Sequence, residues 1–544
     1  MSPRAWPGGI GGWQVPAAMV TPPTGTSLQR LAEQSWDRLQ AGSVLHYEAE
    51  RWTGQELAER VRRVAGGLRE AGLLPGERVV VCMANCPEVS ITYSALWRVG
   101  AVATPVLFLL SEDELRHVLS DSGAALAVTT PEFLPKLLAA AAGLPTVRGI
   151  VLVGEPMADR GDLSARPPLL PFAELETAPP DRLIESEPDA LAALLYTGGT
   201  TGRSKGVMIS HNALSAAAWA ATATSYDEEL STALLPLPLS HAYGLMVSVM
   251  GLHAPGPRTS VLMRWFDPAA WLELAQQHRV NVSPLVPSML QMLLQQPLED
   301  YDLSDLARLT SGSAPLPRQV VEDFRKRLPH VEIGEGYGCT ETSAIISTSP
   351  RGQVRPGSVG RPAPGVEVRI ERPDASAAAL GEDGEICVRG PVLMSGYWNA
   401  EQDTAQAMRG GWLHTGDVGR LDEGGYLYVV DRIKDLIIRG GYNVYPRDVE
   451  DVLLGHPDVL GAAVVGCPDK KYGEEVVAFV QLGEGATVAP AKLIEFCRQR
   501  LSAVKYPREI RLVDSIPLTS VMKTDRQLLR AMLARGQAAS RQAT

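Results

Sequence analysis

The chain has 544 residues and a formal net charge of −11; hydrophobic residues make up 45% of it and charged residues 21%. A chain of this length predicts two or three compact units, and the composition is typical of a globular enzyme. The acidic balance argues against a nucleic-acid partner, because proteins that bind phosphate backbones usually concentrate basic charge.

Targeting signals and metal motifs are absent from the sequence pattern. No apolar run reaches the length of a transmembrane helix, and the Gly- and Pro-rich residues 1–23 lack the apolar core of a signal peptide. The six cysteines are scattered and complete no zinc-binding set, so we predict buried free thiols. We therefore expect a cytoplasmic protein with no membrane span.

Strands alternate with helices through the first part of the chain. After an extended arm, residues 1–26, a helix begins at Ser27; a capping box at residues 53–56 begins a second helix, which Gly72 ends. The pattern then predicts strands Arg78–Met83, Ala101–Val106 and Ala124–Val128 with helices Pro87–Val99 and Glu112–Leu119 between them. Such alternation indicates a largely parallel sheet with helices packed on it.

The second part of the chain repeats this organisation and then changes. Residues 156–188 are rich in Pro and Ala and are predicted to wrap the surface, and a second α/β passage covers residues 234–347. Residues 357–396 suggest a small β-subdomain, and after residues 431–434 the pattern restarts as an α+β unit. We predict an α/β fold: a large N-terminal domain (1–431) of two parallel-type αβ subdomains plus the small β-subdomain, followed by a small α+β C-terminal domain (432–544).

A Gly-rich loop follows the predicted strand Leu191–Tyr196 and precedes the predicted helix His211–Ala223. From residue 196 it reads Tyr-Thr-Gly-Gly-Thr-Thr-Gly-Arg-Ser-Lys-Gly. Glycines let the backbone turn its N–H groups toward an anion, while hydroxyl, arginine and lysine groups add donors and positive charge. The lysine precedes the last glycine, so the Walker pattern does not fit. The composition indicates a phosphate-binding loop of another kind.

This loop and further stretches, in the same order along the chain, resemble the motifs of the adenylate-forming superfamily. The further stretches are Leu239–Gly244 (Leu-Ser-His-Ala-Tyr-Gly), Gly336–Glu341 (Gly-Tyr-Gly-Cys-Thr-Glu), Trp412–Asp417 (Trp-Leu-His-Thr-Gly-Asp), Arg439–Pro446 (Arg-Gly-Gly-Tyr-Asn-Val-Tyr-Pro) and Pro517–Thr524. The Asn-Val-Tyr-Pro continuation looks more like the acyl-CoA synthetase, or AMP-dependent ligase, branch than like peptide-synthetase domains. The resemblance covers roughly residues 53–525.

The resemblance implies a site for ATP and, after reaction, AMP. The residues implied to hold the phosphates are Thr197, Gly198, Gly199, Thr200, Thr201 and Lys205. Those implied to line the adenine pocket are Ser313, Ala314, Glu335, Gly336 and Tyr337, with the Tyr337 ring stacked on the base. Asp417 and Arg432 are implied to bind the ribose, and Thr340 the α-phosphate. Glu341 with Thr197 is implied to hold Mg²⁺, a hard cation that takes oxygen ligands.

The resemblance also implies where the acid and coenzyme A bind. His241 resembles the residue that lies against the acyl carboxylate, and the implied acyl pocket comprises Trp219, His241, Gly312 and Ala314. Lys434 occupies the hinge position about which the small domain rotates. Arg439, Gly440 and Gly441 resemble the loop that turns to the active site for thioester formation, where glycines let a narrow pantetheine arm pass close to the backbone.

The last motif departs from the family pattern. Pro517–Thr524 resembles a Pro-x-Thr-x-x-Gly-Lys loop whose lysine, here Lys523, bridges the carboxylate and the α-phosphate; Met522 replaces the glycine. If the loop needs φ > 0 there, methionine costs roughly 1 kcal/mol or more. A misplaced cationic donor can lower the rate on the order of 10²–10³-fold.

We predict an AMP-forming acyl-CoA ligase that activates a carboxylic acid with ATP and Mg²⁺ and transfers the acyl group to CoA. The catalytic residues are predicted to be Lys205, His241, Thr340, Glu341 and Lys523. Three alternatives stay open: a ligase impaired in adenylation that uses acyl-AMP from a partner enzyme, an enzyme that loads a carrier protein, and a non-catalytic nucleotide-binding protein. The acid is not named by the sequence, and the family includes both monomers and homodimers.

Overall fold

The computed structural model of the chain describes residues 13, 19, 25–39, 42–155, 167–197, 203–518 and 524–542. From residue 28 to residue 175 its elements are, in order, α1 (Leu28–Leu39), β1 (Val44–Tyr47), β2 (Glu50–Thr53), α2 (Gly54–Glu70), β3 (Arg78–Cys82), α3 (Pro87–Arg98), β4 (Val102–Pro105), α4 (Glu112–Ser122), β5 (Leu126–Thr129), α5 (Leu134–Ala141), β6 (Gly149–Leu152), β7 (Leu169–Pro171) and α6 (Phe172–Leu175).

The second stretch extends from residue 191 to residue 362. Its elements are β8 (Leu191–Thr197), β9 (Lys205–Ser210), α7 (His211–Ser225), β10 (Thr232–Leu235), α8 (Ala242–His253), β11 (Thr259–Leu262), α9 (Pro268–Gln277), β12 (Val282–Leu285), α10 (Pro287–Leu294), β13 (Arg308–Ser311), α11 (Arg318–Arg327), β14 (Glu332–Tyr337), β15 (Ser347–Thr348) and β16 (Arg361–Pro362). Two 3₁₀ helices, Leu298–Asp300 and Thr340–Thr342, lie in this stretch.

The last stretch begins at residue 367. Its elements are β17 (Glu367–Glu371), β18 (Gly384–Arg389), β19 (Gly396–Tyr397), α12 (Glu401–Ala407), β20 (Met408–Arg409), β21 (Trp412–Leu421), β22 (Leu427–Arg432), β23 (Ile437–Arg439), β24 (Tyr442–Val444), α13 (Pro446–Leu454), β25 (Val459–Asp469), β26 (Gly473–Leu482), α14 (Pro490–Arg498), β27 (Glu509–Leu512) and α15 (Arg526–Gln542). A further 3₁₀ helix, Ile433–Asp435, follows β22.

The first sheet has eight strands in the order β19-β9-β8-β4-β3-β5-β6-β7. Strands β3 to β8 of this sheet pair in parallel, and β9 and β19 add an antiparallel edge. The predicted alternation of strands and helices is therefore confirmed. Residues 156–188 are predicted to wrap the surface; in the described part of this segment, residues 167–188, β7 also pairs with β6 at the edge of this sheet.

The second sheet has nine strands in the order β16-β15-β14-β13-β12-β10-β11-β1-β2. Its centre is parallel, and the β1–β2 hairpin closes one edge by pairing β1 with β11. The sequence pattern did not predict this hairpin. Strands of four residues leave little periodic signal, and the partner of β1 lies more than two hundred residues further along the chain.

Two smaller sheets complete the fold. The antiparallel sheet β17-β18-β21-β20, with β22 on β21, begins in the β-subdomain predicted at residues 357–396 but takes its other three strands from residues 408–432. The sheet β24-β23-β26-β25, with β27 on β26, belongs to the predicted α+β unit. The α/β class with a small C-terminal unit is thus confirmed. The boundary at residue 431 stays a prediction; it falls near the end of β22.

Several local signals act as the sequence predicts. Thr53 caps α2 in a reciprocal capping box with Glu56, and Gly72 follows the end of that helix with φ +81°. All six cysteines are free thiols, and five of them are buried. Within the described ranges, no helix is both long and apolar enough to cross a membrane.

Helix α8 begins in very close contact with the loop before it. A Cβ atom at Gly244 would lie closer than 3.0 Å to the Pro238 carbonyl group and to Leu239 Cα, all backbone atoms. A Cβ at Gly251, seven residues further along the same helix, would meet no atom within 4 Å. The tight approach at Gly244 therefore fixes the start of α8, while position 251 leaves space.

These two glycines make a matched pair for a stability measurement. We expect Gly244→Ala to lower the free energy of unfolding by about 1–3 kcal/mol, because backbone cannot yield to the new methyl group. Gly251→Ala should leave it unchanged or raise it by up to about 1 kcal/mol through helix propensity. Urea unfolding followed by circular dichroism measures both. Equal losses in the two variants would contradict this account.

Candidate functional site

One cavity of about 2100 Å³ gathers most of the predicted site residues. It lies where the two large sheets, the small antiparallel sheet and the first residues of the C-terminal unit meet. The predicted residues that line it are Thr197, Lys205, His241, Gly312, Ser313, Ala314, Glu335, Gly336, Tyr337, Thr340, Glu341, Asp417, Arg432 and Lys434. Residues Gly198, Gly199, Thr200, Thr201, Met522 and Lys523 lie outside the described residues.

Four predicted site residues do not line the cavity. Trp219 is 3% exposed and packs in the main hydrophobic core, so its ring lies behind the wall to which the sequence assigned it. Arg439, Gly440 and Gly441 lie elsewhere on the C-terminal unit. The Arg439 guanidinium is 2.5 Å from the Glu475 carboxylate and 4.4 Å from the Tyr472 ring, and the Gly440 N–H donates to the Tyr472 carbonyl.

Helix α4 holds both ends of the Gly-rich loop. Strand β8 ends at Thr197 opposite Lys205, the first residue of β9, so the loop spans the gap between two paired strands. The Tyr196 hydroxyl donates to Asp121 at 2.6 Å, and His117 Nε2 lies 2.9 Å from the Ser204 carbonyl oxygen. His117 and Asp121 are four residues apart and share one face of α4. No sequence motif indicated this support.

Lys205, at the end of the Gly-rich loop, makes an ion pair with a residue of α12. Its Nζ lies 2.6 Å from Asp403 Oδ1 on α12 and 5.5 Å from the centre of the Tyr397 ring. Both partners are more than a third exposed, so the pair is solvated and contributes little to stability. The contact instead sets the position of the Lys205 ammonium group at the cavity.

Strands β13 and β14 end side by side at the cavity, because parallel strands present their carboxyl ends at the same edge. Just beyond β13, Ser313 has φ +70°, a left-handed conformation that favours glycine. In β14, Glu335 is 8% exposed, and burial raises the pKa of its carboxyl to about 7. The nearby Arg447 charge and a hydrogen bond from the Leu316 backbone oppose that rise.

Asp417 joins three parts of the structure. The Tyr337 hydroxyl, at the end of β14, donates to Asp417 Oδ2 at 2.6 Å, and Arg432 Nε on β22 lies 3.2 Å from Asp417 Oδ1. Asp417 on β21 faces Arg432 in the β21–β22 register and is only 6% exposed. Burial, together with the Asp417 charge, raises the pKa of Tyr337 well above its usual value. Three of the residues predicted to bind adenosine therefore lie in one contact cluster.

Glu341 lies on a sharp turn that a glycine makes possible. It belongs to the 3₁₀ helix Thr340–Thr342, after which Ser343 and Ala344 have φ +50° and +79°. A Cβ at Gly338 would come closer than 3.0 Å to the Ala344 backbone, so only glycine fits there. Tyr397 donates its hydroxyl hydrogen to Glu341 Oε1 at 2.9 Å and so orients the carboxylate.

His241 lies at the start of α8, where its Nδ1 accepts the Tyr243 N–H at 3.4 Å. It is half-buried and lines the cavity close to Gly312; a Cβ there would lie 3.2 Å from the Tyr243 ring. The place of His241 beside the acyl carboxylate stays a prediction. Its imidazole is fixed as a helix cap.

The C-terminal unit contributes residues around Lys434 and around the undescribed segment 519–523. Burial, followed by the charge of Arg432, lowers the pKa of Lys434, which lies in the 3₁₀ helix Ile433–Asp435. Its neighbour Asp435 is 2.9 Å from Arg530 on α15. Leu518 and Thr524, which border segment 519–523, both line the cavity. The unit thus presents Leu518 and Thr524, and not Arg439–Gly441, to the cavity.

A Glu–His pair that the sequence did not indicate supports the turn before Asp417. Glu385 Oε1 accepts the Gly416 N–H at 3.1 Å, and Glu385 Oε2 lies 2.9 Å from His414 Nδ1. Cys387 and Glu371 also lie near His414, with donor atoms within 4.8 Å of one another. Gly416 has φ +72°, and the bond from its N–H to Glu385 holds the turn directly before Asp417. Glu385 therefore positions Asp417.

The chain is similar to known proteins along most of its length. The profile of the family described as AMP-binding enzyme matches residues 32–398, and that of the AMP-binding enzyme C-terminal domain matches residues 448–523. A feruloyl-CoA synthase from Amycolatopsis sp is 35% identical over 518 residues, which cover 94% of this chain and 96% of that protein. A long-chain-fatty-acid–CoA ligase from Bacillus subtilis is 34% identical over 534 residues, 92% and 94% of the two chains.

Solved structures show the same architecture. The amide bond synthetase McbA from Marinactinospora thermotolerans superposes with a TM-score of 0.82 at 32% identity, covering 93% of this chain and 99% of that one. ATP-bound MatB from Rhodopseudomonas palustris gives a TM-score of 0.83 at 30% identity, with coverage of 93% and 99%.

The Glu385 contacts can be tested by substitution. We expect Glu385→Ala to weaken AMP binding about 10–100-fold, the usual cost of losing a group that orients a ligand-binding residue. Glu385→Gln, which keeps one acceptor oxygen, should lose less. Isothermal titration calorimetry measures the affinities. The control is Glu367→Ala on the same sheet, which removes a partly exposed pair with Arg389; an equal loss there would refute the role of Glu385.

Proposed function

The chain belongs to the AMP-binding enzyme family, in the acyl-CoA synthetase branch of the adenylate-forming superfamily, and from this membership we propose how its residues ligate a carboxylic acid to coenzyme A. The observation that carries the proposal is the Tyr337–Asp417–Arg432 cluster, which lies in the same cavity as Glu341, Lys205 and both ends of the Gly-rich loop. Adenosine and polyphosphate ligands have adjacent sites there.

In the first half-reaction, a carboxylate oxygen of the acid attacks the α-phosphorus of ATP. The bond from that phosphorus to the bridging oxygen breaks, and pyrophosphate leaves with the bond's electron pair. Catalysis consists mainly of alignment and charge neutralisation. Lys205 is proposed to leave Asp403 and move to the phosphates. Breaking the ion pair with Asp403 costs little, because the pair is solvated. Lys523 is proposed to bridge the carboxylate and the α-phosphate.

Mg²⁺ is the metal that the donor set around Glu341 would suit. A carboxylate and the Thr197 hydroxyl are hard oxygen ligands, and phosphate oxygens with water complete the usual octahedral shell. When bound, the ion supplies positive charge to the phosphate oxygens. Tyr397 keeps one oxygen of Glu341 engaged and so orients the carboxylate toward the cavity.

In the second half-reaction, the thiol sulfur of CoA attacks the acyl carbon of the adenylate. The bond from that carbon to the phosphate oxygen breaks, AMP leaves, and the thiol proton passes to solvent. We propose that the C-terminal unit, residues 432–544, rotates about Lys434 to bring Gly440 and Gly441 forward. The lining of the cavity supports this order, because it now includes Leu518 and Thr524 but not Arg439–Gly441. The present arrangement corresponds to adenylation.

The relatives do not favour the alternatives left open by the sequence. The feruloyl-CoA synthase and the fatty-acid–CoA ligase align with more than nine-tenths of this chain, and both are named for CoA products. We therefore place CoA, and not a carrier protein, as the acceptor, and assign both half-reactions to this chain.

The two half-reactions can be separated at Lys523. We expect Lys523→Ala to lower acid-dependent ATP–pyrophosphate exchange about 10²–10³-fold through loss of a cationic donor. Thioester formation from supplied acyl-adenylate should change little, because the lysine is proposed to have left the site by then. Exchange assays and thioester assays run in parallel measure both.

The control is Lys326→Ala, which removes an exposed lysine paired with Asp323. Met522→Gly should preserve or raise the exchange rate, because glycine reaches φ > 0 at lower cost. A loss of thioester formation as large as the loss of exchange in Lys523→Ala would contradict the assignment. If no acid supports ATP–pyrophosphate exchange, adenylation by this chain is contradicted.

Glu335 predicts a pH dependence of nucleotide binding. Its carboxyl has a pKa of about 7, and we propose that the ionised form accepts the adenine amino hydrogen. Because protonation replaces the charged acceptor with a weaker neutral one, AMP affinity should rise as pH increases from about 5.5 and level off above 7, up to about tenfold per unit. Titration calorimetry over this range, beside Glu335→Gln, tests this. A wild-type profile as flat as that of the variant would refute the contact.

A further inference from the structure

The second sheet has an open face below helix α8. Central strands of a parallel sheet are normally buried on both faces. Here β12 alternates half-exposed residues with buried ones, and five half-exposed residues of β10, β12 and β13 line the cavity: Ala233, Leu235, Val282, Pro284 and Thr310. The space next to the sheet is therefore unfilled by side chains on that face.

The strand register shows how wide this space is. Arg308, Val282, Ala233 and Ser260 are neighbours on four adjacent strands, and all four line the cavity. Three strand spacings separate the first from the last, a width of about 14 Å at 4.8 Å per spacing. Above them, Thr310, Pro284 and Leu235 form a second row on the same face.

Helix α8 shows how deep the space is. Its cavity-lining residues recur at helical spacing on one face: Tyr243, Met246, Val247, Met250, Gly251 and, at its end, Ala254. From the first to the last the helix rises about 16 Å at 1.5 Å per residue. On the sheet, Gly312 to Arg308 spans about 13 Å along β13. We call this space, between α8 and the rows of β10–β13, the slit.

Two arginines line the slit, Arg308 at one end and Arg258 at the other, and both contact other groups of the protein. Arg308 Nη2 donates to the Ser349 carbonyl at 2.5 Å, and Nη1 lies 3.3 Å from Glu332. At the far end, Arg258 Nη1 donates to the carbonyls of Asp227 and Leu230, and its guanidinium lies 4.0 Å from the Tyr226 ring centre. Both cations therefore have partners in the protein, although Arg308 Nε and Nη1 make no hydrogen bond among the described residues.

We propose that the acid is a large fused-ring monocarboxylic acid, an inference that rests on the proposed ligase function. A single extended chain needs about one strand spacing, ~5 Å, and fills only a third of the width. A single aromatic ring leaves most of the depth unfilled. A fused-ring body matches both dimensions, with its carboxylate near His241 and Gly312 and its far ring near Gly251 and Ser260.

The whole cavity supports this assignment by its size. At about 2100 Å³ it is roughly twice the upper range of ordinary small-molecule sites, about 1,000 Å³, so it has room for a nucleotide and a bulky acid together. Gly251 has no side chain, which adds to the depth of the slit, because a Cβ atom at this position would enter open space.

The test compares three acids in ATP–pyrophosphate exchange: a four-ring steroid monocarboxylic acid, hexadecanoic acid and cinnamic acid. We expect kcat/KM for the steroid acid to exceed the other two by at least about tenfold, since discrimination of this size is available from apolar contacts. Direct binding of each acid, measured by calorimetry, gives a second ranking that does not depend on turnover. A higher kcat/KM for either competitor overturns the proposal.

Gly251→Leu places a branched side chain in the slit. The ratio of kcat/KM for the steroid acid to that for cinnamic acid should fall at least about tenfold, mainly through a higher KM for the steroid acid. The matched control is Gly483→Leu on the C-terminal unit, where a Cβ would meet only the Asp458 carbonyl oxygen at 3.9 Å. An unchanged ratio in Gly251→Leu overturns the proposal.

The outcomes separate this inference from the ligase function. Exchange with cinnamic acid but not with the steroid acid would refute the substrate class alone. Exchange with none of the acids would refute the adenylation function, and the binding measurements would then decide the substrate class: tight binding of the steroid acid supports it, and its absence refutes it.

Discussion

The buried carboxylate of Asp417 is the constraint on which the site depends. A charged group with 6% exposure is stable only if partners compensate for its lost hydration. Those partners, Tyr337 and Arg432, come from the end of the second sheet and from the strand that leads into the C-terminal unit. The contacts that stabilise the Asp417 carboxylate therefore bring three structural units together. Glu385 extends the same network by holding the turn that presents Asp417.

At this site, residues of the sequence motifs are held in position by side chains that lie outside those motifs. The Gly-rich loop has its flanks held by His117 and Asp121 on α4. Lys205 is held by Asp403, and Glu341 by Tyr397. Glycines allow tight backbone turns but do not by themselves select one orientation. A rigid frame of helix and strand side chains selects it, and such preorganisation lowers the cost of aligning reactants.

Much of the fold was accessible from pattern. The parallel strands β3, β4 and β5 and the helices between them were predicted because buried strands and amphipathic helices have different periods. The capping box at Thr53 was readable because it needs only residues three apart. The β1–β2 hairpin and β7 were missed because their strands are short and their partners are distant in the chain. Trp219 was placed in the acyl pocket by its neighbourhood in the chain, whereas the structure buries it one layer behind.

The sequence by itself determined the family and the fold class. It also identified the residues that contact the nucleotide in the proposed reaction, because those residues occur in contiguous motifs. The tertiary structure decided which side chains hold those residues, since Asp121, Glu385 and Tyr397 are far from their partners along the chain. It also decided the width and depth of the slit. That shape depends on strand register and helix placement, and on the absence of a side chain at Gly251, which no local pattern specifies.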